Sequence, residues 1–408
     1  MKLSKIAFRN IFRKPVRSII SIVAIFYAAM GMVFLFGLIG GMKNEMAENI
    51  QVFSSGDIRI RSEEYNKWEI LNPLHFNVDA KESLLASIKA VEGVEDVHAR
   101  ISFTSLYSKD GKNTPVLGVG LDFTKELGLW DPAEYLIEGT LPVNGEKKIS
   151  IGSELAEKLG LGIGDKFTIM SKTGNRRSNG MTFTVSGLMD YPLPSWDSMT
   201  FLVPYDTASR TLYMKERATD LLVSTEKGAQ LPKVAEEINK LNLFASPVEI
   251  QPWNLIPSWY NYIQIAEIAY TIMSFIFFAL ASTVIITTTM MVIAERKKEI
   301  GTLGALGMKP KELTSLFFTE SSIIGFVGAF SGVLLASLAI VALGDVGIDL
   351  SEMMAGIDMG ISGVLRFSIQ PFYIGFVFFA SWATASFTSL IPSRKAAKIK
   401  PVEALRNI

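Results

Sequence analysis

Four segments of this chain run longer than a membrane helix needs without one charged side chain. They are 18–42 and the segments between Glu267 and Glu295, between Glu320 and Asp345, and between Arg366 and Arg394. A hydrocarbon core of ~30 Å takes ~20 helical residues. Core helices of soluble proteins seldom stay uncharged that long, so the pattern predicts four transmembrane helices: 18–42, 268–294, 321–344 and 367–393. The first has the basic flank of a signal peptide (Lys2, Lys5, Arg9, Arg13, Lys14, Arg17). Its apolar run exceeds the ~7–15 residues of a signal h-region, and no small-x-small cleavage site follows Gly40-Gly41-Met42. It reads as an uncleaved anchor after a short N-terminal helix, together residues 1–42.

The charges then orient the chain. There are 40 Lys plus Arg and 40 Asp plus Glu, a formal net charge of zero. By position they separate: the N-terminal flank, the 295–320 connection and the tail together carry +11, residues 43–267 carry −8, and 345–366 carries −3. Basic loops stay cytoplasmic, so both termini and the 295–320 loop belong inside, with 43–266 and 345–366 outside. Trp253, Trp259, Tyr260, Tyr262 and Tyr270 cluster where the second span should meet the outer surface, as an interfacial belt would. The hydrophobic fraction of 49% excludes a disordered chain. The absence of cysteine excludes disulfides and Cys-ligated metal. The charge balance disfavours a nucleic-acid partner.

The segment 43–266 has the composition of an ordinary soluble domain. A strand (56–61), an amphipathic helix (79–91: Leu84, Leu85, Ile88, Val91) and a strand (94–103) form one unit. Strand 220–224, helix 231–241 (Val234, Ile238, Leu241) and strand 247–251 form another. Two such units flanking an insertion predict a split ferredoxin-like α+β fold, over 43–113 and 211–255. The insertion, 114–210, is rich in short β runs: 115–121, 148–152, 165–170 and 182–188, with a helix at 153–159. Asn175-Arg-Arg-Ser-Asn-Gly180 reads as a hairpin turn whose arginines sit in solvent.

Much chemistry is missing. There is no phosphate-binding Gly-x-x-x-x-Gly-Lys-Ser/Thr loop, no His-Glu-x-x-His and no Gly-x-Ser-x-Gly. His75 and His98 are isolated, so neither a catalytic nor a metal site is expected. No ionisable group lies inside a span, which disfavours proton- or sodium-coupled transport. Gly325, Gly328 and Gly332 line the third span at spacings that permit close helix approach, within the chain or between subunits.

The 295–313 segment continues the second helix into the cytoplasm, turns at Gly301 to Gly307, and restarts after Lys309-Pro310, where proline suits a first helical turn. Its charged base and apolar knob (Ile300, Leu303, Leu306, Met308) suit a docking element; a basic loop that only fixes topology would look similar.

Here the sequence resembles a family. Glu295-Arg-Lys-Lys-Glu-Ile-Gly-Thr-Leu-Gly-Ala-Leu-Gly-Met308 is similar to the loop of the FtsX/MacB/LolC–LolE permeases of ABC transporters. So are the ending Pro392-Ser-Arg-Lys-Ala-Ala-Lys-Ile-Lys-Pro-Val-Glu-Ala-Leu-Arg406 and the start Ala7-Phe-Arg-Asn-Ile-Phe-Arg-Lys-Pro-Val-Arg17. The resemblance implies a dimer of four-span subunits, homo- or heteromeric, in the bacterial inner membrane. Each subunit would carry a periplasmic "porter" subdomain holding a β-rich insert. It implies a cytoplasmic ATPase partner that binds ATP and Mg, leaving no cofactor in this chain. Nothing but a short helix precedes the first span, so that ATPase is expected on another chain. Arg296, Lys298, Glu299, Ile300, Gly301, Leu303, Gly307 and Met308 would contact it. Function would be mechanotransmission: ATP-driven motion carried to the external domains, acting on a lipoprotein or another amphiphile. Efflux with a periplasmic adaptor, or signalling to a cell-wall hydrolase, are the alternatives. The outer ends of spans one and two (Phe34, Phe36, Tyr262, Ile265) are the expected substrate-facing positions, among membrane lipids.

Overall fold

One strand organises the external part of the molecule. In the computed structural model β3 runs Val94–Lys109 and serves two sheets in succession. The structure describes residues 7–9, 12, 15–69, 72–109, 111–295, 302–303, 306–343, 346–349, 364–390 and 393–394.

In chain order the elements are helix α1 (Pro15–Ile50), which ends in a wider π-type turn, Gln51–Ser55, then β1 (Ile58–Ser62), α2 (Glu63–Lys67), β2 (Val78–Asp79) and α3 (Glu82–Lys89). After β3 come β4 (Lys112–Leu121), β5 (Leu136–Gly139), β6 (Lys148–Gly152), α4 (Ser153–Leu159), β7 (Lys166–Lys172) and β8 (Ser178–Met189). Then follow α5 (Pro194–Asp197), β9 (Thr200–Pro204), α6 (Tyr205–Thr211), β10 (Arg217–Ala218), β11 (Asp220–Thr225), α7 (Leu231–Lys240) and β12 (Val248–Pro252). The chain continues with α8 (Pro257–Glu295), α9 (Pro310–Leu343), β13 (Ile348–Asp349), β14 (Val364–Leu365) and α10 (Pro371–Thr388). The chain divides into two units: Glu45–Gln264 with 350–363, and the rest.

In the external unit, β12, β1, β11 and β3 are neighbours in that order, every pairing antiparallel. Numbered along the chain this is the 4-1-3-2 order of a split βαβ repeat. Helices α3 and α7 cover one face. Their apolar residues recur at helical spacing, and Ile88, Val234, Ala235 and Ile238 are buried against Ile58, Ile60, Leu221 and Val223.

The insertion is more than a β-rich appendage. Strands β3, β4, β9, β6, β8 and β7 pair in a ring, because β7 pairs with both β8 and β3. Closure of six strands leaves no open edge within the ring. Its interior is filled by alternate residues, among them Phe103, Tyr107, Ile149, Ile151, Phe167, Phe183 and Phe201. Where β3 serves the split sheet, Asp96 to Arg100 pair with β11; from Ile101 onward it pairs with β4. The split sheet and the barrel therefore share one continuous backbone.

The other unit is helical. Among the described residues three helices are long and apolar enough to cross a membrane: Ser18–Ser55, Ile268–Thr287 and Pro310–Leu343. The fourth expected span, 367–393, is helical over Pro371–Thr388, and this stretch does not meet the same standard among the described residues. Its Tyr, Trp, Ser and Thr residues dilute the apolar run. Within the unit, Ala29, Met32, Val33 and Phe36 of α1 pack with Val333, Ala336 and Ile340 of α9 and Val377 of α10.

Candidate functional site: helix terminus, loop and helix contacts

The last turn of α1 lies in the external unit and is held there by buried charge. A helix leaves its final carbonyls without partners. Arg100 of β3 supplies them: Nη1 donates to the Phe53 carbonyl at 3.0 Å and Nη2 to that of Val52 at 3.0 Å. The same guanidinium forms a two-pronged pair with Glu126, Nε to Oε1 at 3.0 Å and Nη2 to Oε2 at 2.6 Å. Trp130 Nε1 also donates to Glu126, at 2.9 Å. Arg100 is 2% exposed and Glu126 1%. Charges so deeply buried persist only when paired and fully hydrogen-bonded. Phe53 inserts among Trp130 and Trp196, with ring centroids 5.4 and 4.9 Å away. Gly56, at φ 62°, then turns the chain into β1.

A second buried ionic group fixes the face of the split sheet opposite α3 and α7. Arg61 pairs with Asp220 and with Glu69, and Arg59 reaches Glu69 at 3.3 Å. The Arg61 guanidinium lies 4.6 Å from the Tyr65 ring centroid. Burial works against this cation, but Asp220, Tyr65 and Glu69 together raise Arg61 above its ordinary value. Tyr65 is pushed up by burial and by Asp220.

Of the expected docking loop, Arg296, Lys298, Glu299, Ile300 and Gly301 lie outside the described residues. Leu303, Gly307 and Met308 lie within them. Leu303 and Met308 turn inward onto Leu313 and Phe317 of α9. Gly307 adopts φ 94°, a left-handed turn that favours glycine, and Met308 N–H closes it on the Leu303 carbonyl at 3.1 Å. The Lys309 N–H donates to Glu312 at 2.9 Å, so a carboxylate caps the start of α9. Leu306 projects from the turn, 80% exposed. It belonged to the expected apolar knob but was not among the expected contact residues, since spacing alone does not separate it from Leu303.

The glycines of α9 pack inside the chain. A methyl group at Gly325 would meet Ala385 Cβ at 2.7 Å, at Gly328 the Ile22 carbonyl at 2.9 Å, and at Gly332 it would overlap the Phe26 carbonyl. Their surfaces are thus packed against α1 and α10 within the chain. On α1, a methyl at Gly41 would overlap the Arg366 carbonyl.

The expected substrate-facing residues Phe34, Phe36 and Ile265 have different surroundings. Phe36 is buried and stacks on Tyr373 of α10, centroids 4.6 Å apart. Phe34 packs edge-on to Phe367 at 5.7 Å. Both pack on neighbouring helices, as an apolar residue in a span does as readily as it faces lipid. Ile265 is exposed. The Tyr262 side chain lies outside the described residues, as do those of Trp259 and Tyr260. No cluster able to hold a metal ion occurs among the described residues.

Apolar helices of spanning length joined to a large α+β unit define a membrane permease with an extracytoplasmic region. Residues 18–241 match the MacB-like periplasmic core domain, and residues 271–401 match the FtsX-like permease C-terminal domain. The chain belongs to this family of ABC transporter permeases. It is 24% identical to an uncharacterized ABC transporter permease of Methanocaldococcus jannaschii, over 98% of this chain and 96% of the relative. It is 25% identical to the lipoprotein-releasing system transmembrane protein LolC of Neisseria meningitidis serogroup B, over 65% of this chain and 66% of LolC. Against the macrolide export ATP-binding/permease protein MacB of Wolinella succinogenes it is 21% identical over 98% of this chain, spanning 60% of MacB's length.

Proposed function

We propose that the chain is the four-span permease subunit of a mechanotransmission-type ABC transporter in the inner membrane, with both termini cytoplasmic. It works as a dimer with an ATPase on a separate chain that binds ATP and Mg, and it releases lipoproteins from the outer leaflet of that membrane. The observation that carries this reading is α1. It is one helix from Pro15 to Ile50, and its end is clamped by Arg100 and Glu126 in a buried aromatic nest. A helix so anchored can pass a displacement to β3, which runs through both the split sheet and the barrel. Similarity to LolC supports lipoprotein as the substrate. Similarity to MacB over nearly the whole chain supports a second reading, efflux of peptides or small amphiphiles with an adaptor.

The test uses the purified permease–ATPase complex in lipid nanodiscs, with ATP and a soluble lipoprotein acceptor. Release that depends on ATP supports the first reading; vigorous hydrolysis without release moves the assignment to efflux. Arg100→Gln should leave hydrolysis in place and lower release per ATP. Unchanged release would remove the clamp from the coupling path.

A further inference from the structure

The barrel has a weak seam. Strand β7 pairs with β8 along its full length, Lys166 to Lys172, but with β3 only over Ile169, Met170 and Ser171. Beside that short pairing lies a cleft of about 510 Å³, within the range of small-molecule sites. Its wall is mostly apolar: Leu74 and Phe103 are buried, while Leu106 and Met170 are 45% and 58% exposed. Large apolar side chains left open beside a cleft mark a binding surface more often than a plain exterior.

The polar groups of the cleft are hydroxyls, the Asn72 amide, the His75 imidazole and two cations. Ser105 is 2% exposed, its hydroxyl has no hydrogen-bond partner among the described residues, and it lines the cleft. Lys172 and Arg176 stand at the rim, and neither has a carboxylate partner among the described residues. No carboxylate lines the cleft. Arg176 is set there by a left-handed turn, φ 62°, closed by its N–H donating to the Thr173 carbonyl at 2.9 Å. Across from it the 72–75 loop is pinned by Asn72, which donates to Thr104 at 2.7 Å and accepts from Tyr65 at 2.9 Å. His75 lies below its ordinary pKa through burial and then the Arg176 charge, so near neutral pH it adds no further cation.

We infer that this seam cleft is a binding site for a small anionic amphiphile, its apolar body against the exposed Leu106 and Met170 and its carboxylate or phosphate head at Lys172 and Arg176. The inference stands on the barrel alone and does not require the transport reading.

The chain has no cysteine, so Asn175→Cys at the exposed hairpin tip places a single fluorophore beside the cleft. The full chain in zwitterionic nanodiscs is titrated with octyl phosphate, octanoate, octanol and octylammonium, empty nanodiscs correcting for partition. Saturable responses to the two anions, at least about tenfold tighter than to octylammonium, are expected. Preference between phosphate and carboxylate identifies the head group. Arg176→Glu with Lys172→Glu, both exposed and foldable, should weaken anion binding about tenfold or more, and Met170→Glu should weaken all four ligands. No saturable response, equal binding of octylammonium, or anion binding untouched by the charge reversals would overturn the site.

Discussion

The external and helical units solve packing in opposite ways. The barrel core is built from large side chains, with Phe103, Phe167, Phe183 and Phe201 almost wholly enclosed, and elsewhere in the same unit buried charge is held by partners, as in the Arg100–Glu126 pair. The helical unit is built on absence. Gly325, Gly328, Gly332 and Gly41 let backbones approach, and residues as large as Phe275, Leu280, Val341 and Phe372 remain substantially exposed. In water, burying apolar area is the main driving force. In lipid it is not, since the solvent is as apolar as leucine, and helices associate through close contact of small residues. The same substitution class should therefore fail for different reasons in the two units.

The largest effect is expected where charge is buried. Arg100→Met strands Glu126 and frees two helix-terminal carbonyls, and should lower stability by about 3–5 kcal/mol. Thermal unfolding followed by near-ultraviolet Trp signals would report it; the double variant with Glu126→Leu should recover part of the loss. If the single variant unfolds like the parent, the clamp is not a structural anchor. In the helical unit, Gly332→Val inserts methyl groups into the α1 backbone and should cost about 1–3 kcal/mol. Detergent-resistance melts of the full chain would show it, and a similar change at the exposed Gly111, where a methyl group meets nothing within 4 Å, offers a contrast complicated only by its positive φ. Leu306→Ala is a surface change and should move stability by no more than about 0.5 kcal/mol. It should nonetheless weaken pull-down of the ATPase; undiminished capture would leave the projecting turn without a docking role.

The smallest effect concerns His98, buried on β3. Burial holds its pKa below the ordinary value, with Glu126 opposing and Arg100 assisting. The folded state therefore favours the neutral ring, and its stabilising contribution is complete above about pH 6.5 and lost as pH falls below it. A denaturation midpoint followed from pH 7.5 to pH 5 should decline, and His98→Gln should flatten that part of the decline.

Much of the local structure was legible. Strand β6 and helix α4 occupy the residues that alternation and helical spacing picked out, because both signals are local. The two strand–helix–strand units were legible for the same reason. Closure of the barrel was not. It depends on pairings such as Leu117 with Thr200 and Leu106 with Met170, between residues far apart in the chain and without a local cue. Arg100 lay inside a strand that the sequence marked, and a charge amid Val97, His98, Ala99 and Ile101 was the available hint that a buried partner exists. Nothing nearby named Glu126 as that partner. Among the docking residues, Leu303 and Leu306 share composition and neighbourhood; only the turn at Gly307 decides that one faces α9 and the other faces out.

Charge placement and uncharged length are properties of consecutive residues. They alone determined that the chain enters a membrane, how many times it was expected to cross, and which segments carry which sign. Which glycine meets which backbone, where a helix end is clamped and where a barrel seam opens were decided by the tertiary structure. Those outcomes depend on contacts between distant residues, and their energy exists only once the chain has closed upon itself.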